Sequence, residues 1–209
     1  MSSKILKATA FATQAHGKQT RKSTGLPYII HPLRVALILQ DTCAVKDEEV
    51  IIAAILHDVI EDTSSSVKNI TERFDERVAS MVLEVTDDKS LSIVERKRAQ
   101  IAHAKIMTKG ALLIKIADKI DNVRGFVWEG TPEGWGESRV RGYAAWSLAV
   151  ARSGLSRYMI TSDAPDELRL AIVELERNVA PYIGKEALEN QNVLDSMVEA
   201  YFKELDKKE

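Results

Sequence analysis

Apolar residues recur at helical spacing along most of the chain. Ile5, Ala8, Ala12 and Ala15 form one stripe, and Ile70, Phe74, Val78, Met81, Val82 and Val85 form another; this is the period of helices that bury one face. No segment alternates as a half-buried strand would, so the pattern predicts an all-α fold. Two stretches break the amphipathic rule. "VIIAAIL" at 50–56 is apolar on every side and "ALLIKIA" at 111–117 is apolar but for Lys115, which predicts helices in the middle of a bundle. Each then turns abruptly polar, the first into "HDVIEDT" and the second into "DKIDNVRGF".

Punctuation residues set the expected boundaries. His31-Pro32 reads as a helix entry, since proline is tolerated in the first turn, with the helix continuing through Val35, Ile38 and Leu39. Asp47, Glu48 and Glu49 suit the positive end of the next helix, expected to run through "VIIAAIL" and "HDVIEDT" and to stop at Ser64, Ser65 and Ser66. Further helices are predicted over about 91–107 and 111–126, followed by an ordered loop at 127–138 rich in Gly, Pro and Trp, then a helix carrying Arg141, Tyr143 and Trp146. "SDAPDELRLAIVELERN" starts with a capping and proline signature, and 186–206 reads as a last helix. No repeat, low-complexity tract or linker divides the chain. A single domain over 1–209 is expected, with the motif-bearing core at about 4–154 and a helical extension, about 155–209, packed on it.

A chain of 209 residues with 45% hydrophobic and 29% charged positions can bury about 70% of its unfolded surface. Its net charge of −2 gives no reason to expect nucleic acid or an anionic membrane as partner. The polar, basic N-terminus and the short apolar runs argue against secretion and membrane insertion. Cys43 is the sole cysteine, so no internal disulfide can form and a reducing compartment, the cytoplasm, is expected. Homo-oligomer formation is left open. Charge is nonetheless uneven: Lys4, Lys7, Lys18, Arg21, Lys22 and Arg34 precede the first acidic residue, Asp41. Such a segment is either a solvated face or the border of an anionic ligand.

On a continuous helix His57 would lie above Glu61 and Asp58 above Asp62. No lysine or arginine occurs between 47 and 67 to neutralise these carboxylates, and buried carboxylates need a counter-charge. Asp118, Asp121 and Asn122 crowd the end of the second apolar helix in the same way, and His31 offers another imidazole from a helix start. Singly, each has an ordinary explanation: His-Asp dipeptides are common on surfaces, His31 could cap a helix, and Asp118 could pair with Lys115. Together, His31, His57, Asp58 and Asp118 make a mixed nitrogen and oxygen set suited to a divalent Mn, Fe, Co or Zn ion, with positions left for water and substrate.

The segments "HGKQTRKSTGLPYIIHPLRVA", "AAILHDVIEDT", "EVTDDKSLSIVERKRAQ", "KIADKIDNVRG" and "TPEGWGESRVRGYAAW" resemble, in order, the HD-superfamily hydrolase of RelA/SpoT-type proteins, above all its stand-alone small alarmone hydrolases. The resemblance spans roughly residues 4–150 and implies an HD-domain helical bundle. It implies Mn²⁺ held by His31, His57, Asp58 and Asp118, with Glu61 and Asp62 positioning or deprotonating the attacking water. It also implies substrate contacts at Arg21, Lys22, Asn122, Lys97 and Tyr143, and hydrolysis of the 3′-diphosphate of (p)ppGpp to GDP or GTP and pyrophosphate. No synthetase region is expected in a chain of this length. Two other readings stand beside this one. The resemblance includes members credited with removing the 2′-phosphate of NADPH, and a non-catalytic nucleotide-binding protein would be expected to lose Glu61, Asp62 or a ligand, none of which is lost.

Overall fold

Burial of the two apolar stretches organises the molecule. The computed structural model describes residues 3–159 and 164–207, which contain helices and no strand; Thr20 and Pro27 form an isolated bridge. The helices are α1 (Ser3–His16), α2 (Ile30–Leu37), α3 (Glu48–Leu56), α4 (Val59–Asp62), α5 (Val67–Arg73), α6 (Glu76–Val85), α7 (Ile93–Ala104), α8 (Lys109–Trp128), α9 (Glu137–Met159), α10 (Asp166–Glu189) and α11 (Gln191–Asp206). Every residue of α3 from Val50 to Leu56 is buried, as is every residue of α8 from Gly110 to Asp121. With no polar face over 50–56 to turn to water, α3 packs among α1, α2, α6 and α8; α8, whose buried span also encloses Lys115, Asp118, Lys119 and Asp121, packs among α2, α6, α9 and α10. No helix among the described residues is long and apolar enough to cross a membrane.

Local capping fixes the helix starts. Asp47 accepts from the Glu49 amide at the head of α3, Thr108 accepts from the Ala111 amide at the head of α8, and Ser66-Asn69 and Ser92-Glu95 form reciprocal capping boxes. Pro32 sits in the first turn of α2, as its missing N–H allows. That helix ends at Leu37, and the chain continues as a single π-helical turn, Ile38–Thr42, which buries Ile38 and Leu39.

Four expected boundaries are corrected. The helix through "VIIAAIL" does not continue into "HDVIEDT": it stops at Leu56 because both the amide and Nδ1 of His57 turn back onto the Ala54 carbonyl, the acceptor that the Asp58 amide would need. The stripe from Ile70 to Val85 is shared by two helices, broken at Asp75, whose φ of +145° is rare for a side-chain-bearing residue and whose carboxylate caps α6; all six stripe residues are still buried. The loop expected from 127 begins later, because α8 runs to Trp128. Residues 186–189 close α10 rather than opening the last helix, and α11 starts after Asn190, which caps it. At the start of α10, Pro165 holds the N-cap position, while Ser162 and Asp163 lie outside the described residues.

α10 and α11 cover α8 and α9, and Arg124 on α8 meets Glu174 on α10 at 2.5 Å. The approach of α11 to α9 depends on Gly142. A Cβ there would fall 2.6 Å from Cδ2 and 2.7 Å from Cβ of Tyr201, a fully buried ring with no room to retreat. Gly142→Ala is therefore expected to destabilise by about 1–3 kcal/mol through overpacking, more than the roughly 1 kcal/mol it gains in helix propensity. A thermal melt at or above the wild-type midpoint would show that the two helices separate without cost.

Candidate metal centre and adjoining cleft

The break at Leu56 builds the site. With Nδ1 donating to the Ala54 carbonyl at 2.8 Å, His57 directs Nε2 inward, where it is buried and has no hydrogen-bond partner. His31, in the first turn of α2, follows the same logic: Nδ1 donates to Asp121 at 2.7 Å, so its Nε2 also faces inward, 3.2 Å from Asp118 and 3.7 Å from Asp58. Asp58 Oδ2 lies 3.1 Å from Nε2 of His57. Ligand atoms of His31, His57 and Asp118 all fall within 4.8 Å of one another.

Two converging imidazole nitrogens, each tautomer fixed by a hydrogen bond at the far side of its ring, with two carboxylates beside them, are a donor set that can hold a divalent metal ion. The orphaned Nε2 of His57 fits that use. The electrostatics point the same way. Burial by itself would lower His31, but its bonds to Asp118 and Asp121 outweigh this and raise it to about 9. Burial by itself would raise Asp58 and Asp118, but His57 and Lys119 respectively bring them below the ordinary carboxylate range. The pocket is thus built for concentrated positive charge.

Other neighbours complete the carboxylates' coordination. The Tyr28 hydroxyl donates to Asp58 at 2.6 Å, Lys119 reaches Asp118 at 3.0 Å, and Asn122 donates to Asp118 at 2.6 Å. Lys119, rather than Lys115, is the cation beside Asp118; Lys115 donates to the Val85 carbonyl. Glu61 and Asp62 make no hydrogen bond to the imidazoles and have partners of their own. Glu61 accepts from the Asp87 amide at 3.0 Å and is raised by burial, and Asp62 pairs with Lys89 at 2.6 Å. The counter-charge absent from residues 47–67 therefore comes to Asp62 from the loop after α6.

Beside the centre opens a cleft of about 380 Å³. Its walls include Arg21, Lys22, Asn122, Tyr143 and Asp62, along with Tyr28, Phe126 and Trp135. Arg21 approaches Asn122 at 3.4 Å, which continues the network from the cleft to Asp118. Lys97 is not among the residues lining the cleft. Its ammonium lies 3.5 Å from the Trp146 ring centre and 5.0 Å from that of Tyr143, so it stands behind the wall that Tyr143 forms.

Tyr28, Lys119 and Glu129 are the neighbours that the sequence did not single out, and Asp121, grouped with Asp118 by spacing, serves as the acceptor for His31. Lys119 sits in the same "ADKIDN" stretch as Asp118, and Tyr28 is three residues before His31, so adjacency is their only signal. Glu129 had none, because its partners Arg21 and Arg34 are distant in sequence.

The HD-domain family model matches residues 8–134. The guanosine-3′,5′-bis(diphosphate) 3′-pyrophosphohydrolase MESH1 of Xenopus tropicalis is 44% identical over 149 residues, covering 71% of this chain and 83% of that protein. The human protein of the same name is 43% identical over the same shares. Among solved structures, one described as a metazoan ortholog of SpoT that hydrolyzes ppGpp superposes with a TM-score of 0.73 at 38% identity, covering 85% of this chain and 96% of that one. With the paired imidazoles and carboxylates lying inside the matched span, the chain belongs to the HD-domain family.

Proposed function

We propose that the chain hydrolyses the 3′-diphosphate of ppGpp and pppGpp, yielding pyrophosphate with GDP or GTP. The observation that carries this reading is the union of a paired His/Asp centre with a cleft that presents Arg21, Lys22, Asn122 and Tyr143, in a chain 44% identical to an enzyme named for that reaction. His31, His57, Asp58 and Asp118 would hold Mn²⁺, which favours mixed nitrogen and oxygen ligands more than Mg²⁺ does. When bound, such an ion supplies Lewis-acid polarisation and acidifies water. The sole thiol, Cys43, is buried and suits a cytoplasmic setting.

The chain's own groups account for the rest. Arg21 offers forked donors to phosphate oxygens and Lys22, exposed at the rim, a point charge. Tyr143 and Asn122 line the wall that would face ribose and base. Asp62 and Glu61 orient the attacking water and take its proton. The water oxygen bonds to the phosphorus attached to the ribose 3′ oxygen, that P–O bond breaks, and the 3′ oxygen leaves as a hydroxyl after gaining a proton.

The test is a comparison of kcat/KM for ppGpp and NADPH on one Mn²⁺-loaded preparation, with products identified. Turnover of ppGpp to GDP and pyrophosphate, with GDP and GTP left intact, is the expected result. Preferred release of single phosphate from NADPH would replace this assignment with a 2′-phosphatase, and turnover of neither would leave a binding protein.

A further inference from the structure

A carboxylate is out of place in the wall of a cleft meant for a polyanion, and Glu129 is one. It forms the C-cap of α8, and its side chain is 3% exposed. Three donors converge on it from elements far apart in sequence. Arg21 Nε lies 3.2 Å from Oε2, the Ser23 hydroxyl donates to the same oxygen at 3.0 Å, and Arg34 on α2 donates to Oε1. Both carboxylate oxygens are thus engaged, and the charge of Glu129 is matched twice over by guanidinium.

Arg21 is held at its far end as well, with a terminal nitrogen 3.4 Å from Asn122 Oδ1. The loop that carries it is closed by Arg21 N–H to the Leu26 carbonyl and Gly25 N–H to the Arg21 carbonyl, both at 2.8 Å. An arginine side chain free in a loop loses considerable rotamer entropy when it grips a phosphate. One already held through Nε has lost it beforehand and keeps its remaining donors in one plane toward the cleft.

We propose that Glu129 is a positioning residue that holds the Arg21 guanidinium in its anion-gripping orientation, a role that rests on the reading of the cleft as a phosphate site. Two simpler roles make opposite demands. If Glu129 only offset positive charge, removing its charge would tighten anion binding. If it only stapled α8 to α2 and the loop, its loss would act without regard to what stands at position 21.

The experiment measures the Kd of inorganic pyrophosphate by calorimetry in chelator, and KM and kcat for ppGpp with Mn²⁺, on the full chain as wild type, Glu129→Gln, Arg21→Lys and the double variant. Lysine keeps the charge but lacks Nε and the planar fork, so Arg21→Lys cannot be gripped by Glu129 at one nitrogen while presenting further donors to phosphate in the same plane. Each single change is expected to raise Kd and KM about tenfold, the low end for a lost charged hydrogen bond, with kcat near wild type. The double variant should be no worse than either single. Tighter pyrophosphate binding by Glu129→Gln, wild-type affinity in Arg21→Lys, additive losses, or no wild-type affinity for pyrophosphate overturns the proposal. Should Glu129→Gln lose its cooperative melt, Glu129→Asp, which keeps the charge but draws the carboxylate back from Arg21, takes its place in the same cycle, and wild-type pyrophosphate affinity in it overturns the proposal. Absence of ppGpp turnover by the wild type would count against the assigned reaction, while the pyrophosphate arm still reports on Glu129.

Discussion

Chelation is expected to abolish turnover, and Mn²⁺ to restore it better than Mg²⁺. The inward Nε2 atoms of His31 and His57 are the reason. Each ring spends its Nδ1 proton on a fixed acceptor, Asp121 or the Ala54 carbonyl, so each presents a nitrogen donor that Mg²⁺, with its preference for oxygen in strict octahedral geometry, uses poorly. Asp118→Asn keeps the shape of the side chain while removing a charge beside Lys119 and His31. It should lower kcat/KM by at least about a thousandfold, some 4 kcal/mol of transition-state stabilisation, in line with the several kcal/mol that Lewis-acid activation supplies. Two readouts are independent of activity. The wild type should retain Mn²⁺ through gel filtration where Asp118→Asn does not, and saturating Mn²⁺ should stabilise the wild type by about 2.7 kcal/mol at a hundredfold excess over Kd, with little effect on the variant. Full turnover in excess EDTA would refute a metal mechanism.

How far the sequence disclosed this site depends on the range of the interactions involved. His31, His57, Asp58 and Asp118 can be grouped from the sequence because each lies at or close to the end of an apolar run, Asp118 within the body of α8, and apolar runs must meet in the core. The all-α architecture was legible for the same reason. The local course of the chain at His57 was not. Residue spacing assumes a continuous helix, whereas the imidazole itself takes the carbonyl that would continue it, a competition between side chain and backbone that periodicity does not register. The Asp75 break escaped likewise, because the apolar stripe runs through it undisturbed. Charge matching was the least legible element. The isolation of the 47–67 carboxylates in the sequence implies a need for a cation, and part of that need is met by Lys89 on Asp62, whose approach depends on tertiary packing. Lys97 illustrates the converse: its ammonium is spent on the faces of Trp146 and Tyr143, and sequence alone does not distinguish a cation stacked behind a wall from one set in it.

Replacing both acids of the "IED" turn by their amides, Glu61→Gln with Asp62→Asn, should leave a folded, metal-retaining protein that binds ppGpp and turns it over at least about a hundredfold more slowly, the usual scale for removing positioned acid-base groups. The structural neighbourhood makes the change clean. Glutamine retains an oxygen to accept from the Asp87 amide, which Glu61 accepts at 3.0 Å. The Asp62→Asn change forfeits only the pair with Lys89, whose side chain is 51% exposed, and exposed pairs contribute about 0–1 kcal/mol. The melting temperature should therefore stay near that of the wild type, and the loss should fall on kcat rather than KM. Acid pH offers a second check with a definite sign. Burial raises Glu61 above the ordinary glutamate range, so as pH falls it takes up its proton early and ceases to act as a base. The acid limb of the kcat profile should thus lie higher in pH than for an exposed glutamate, and it should vanish in Glu61→Gln alone. Loss of bound Mn²⁺ from the double variant would instead make these carboxylates ligands, and wild-type kcat would remove them from the chemistry altogether.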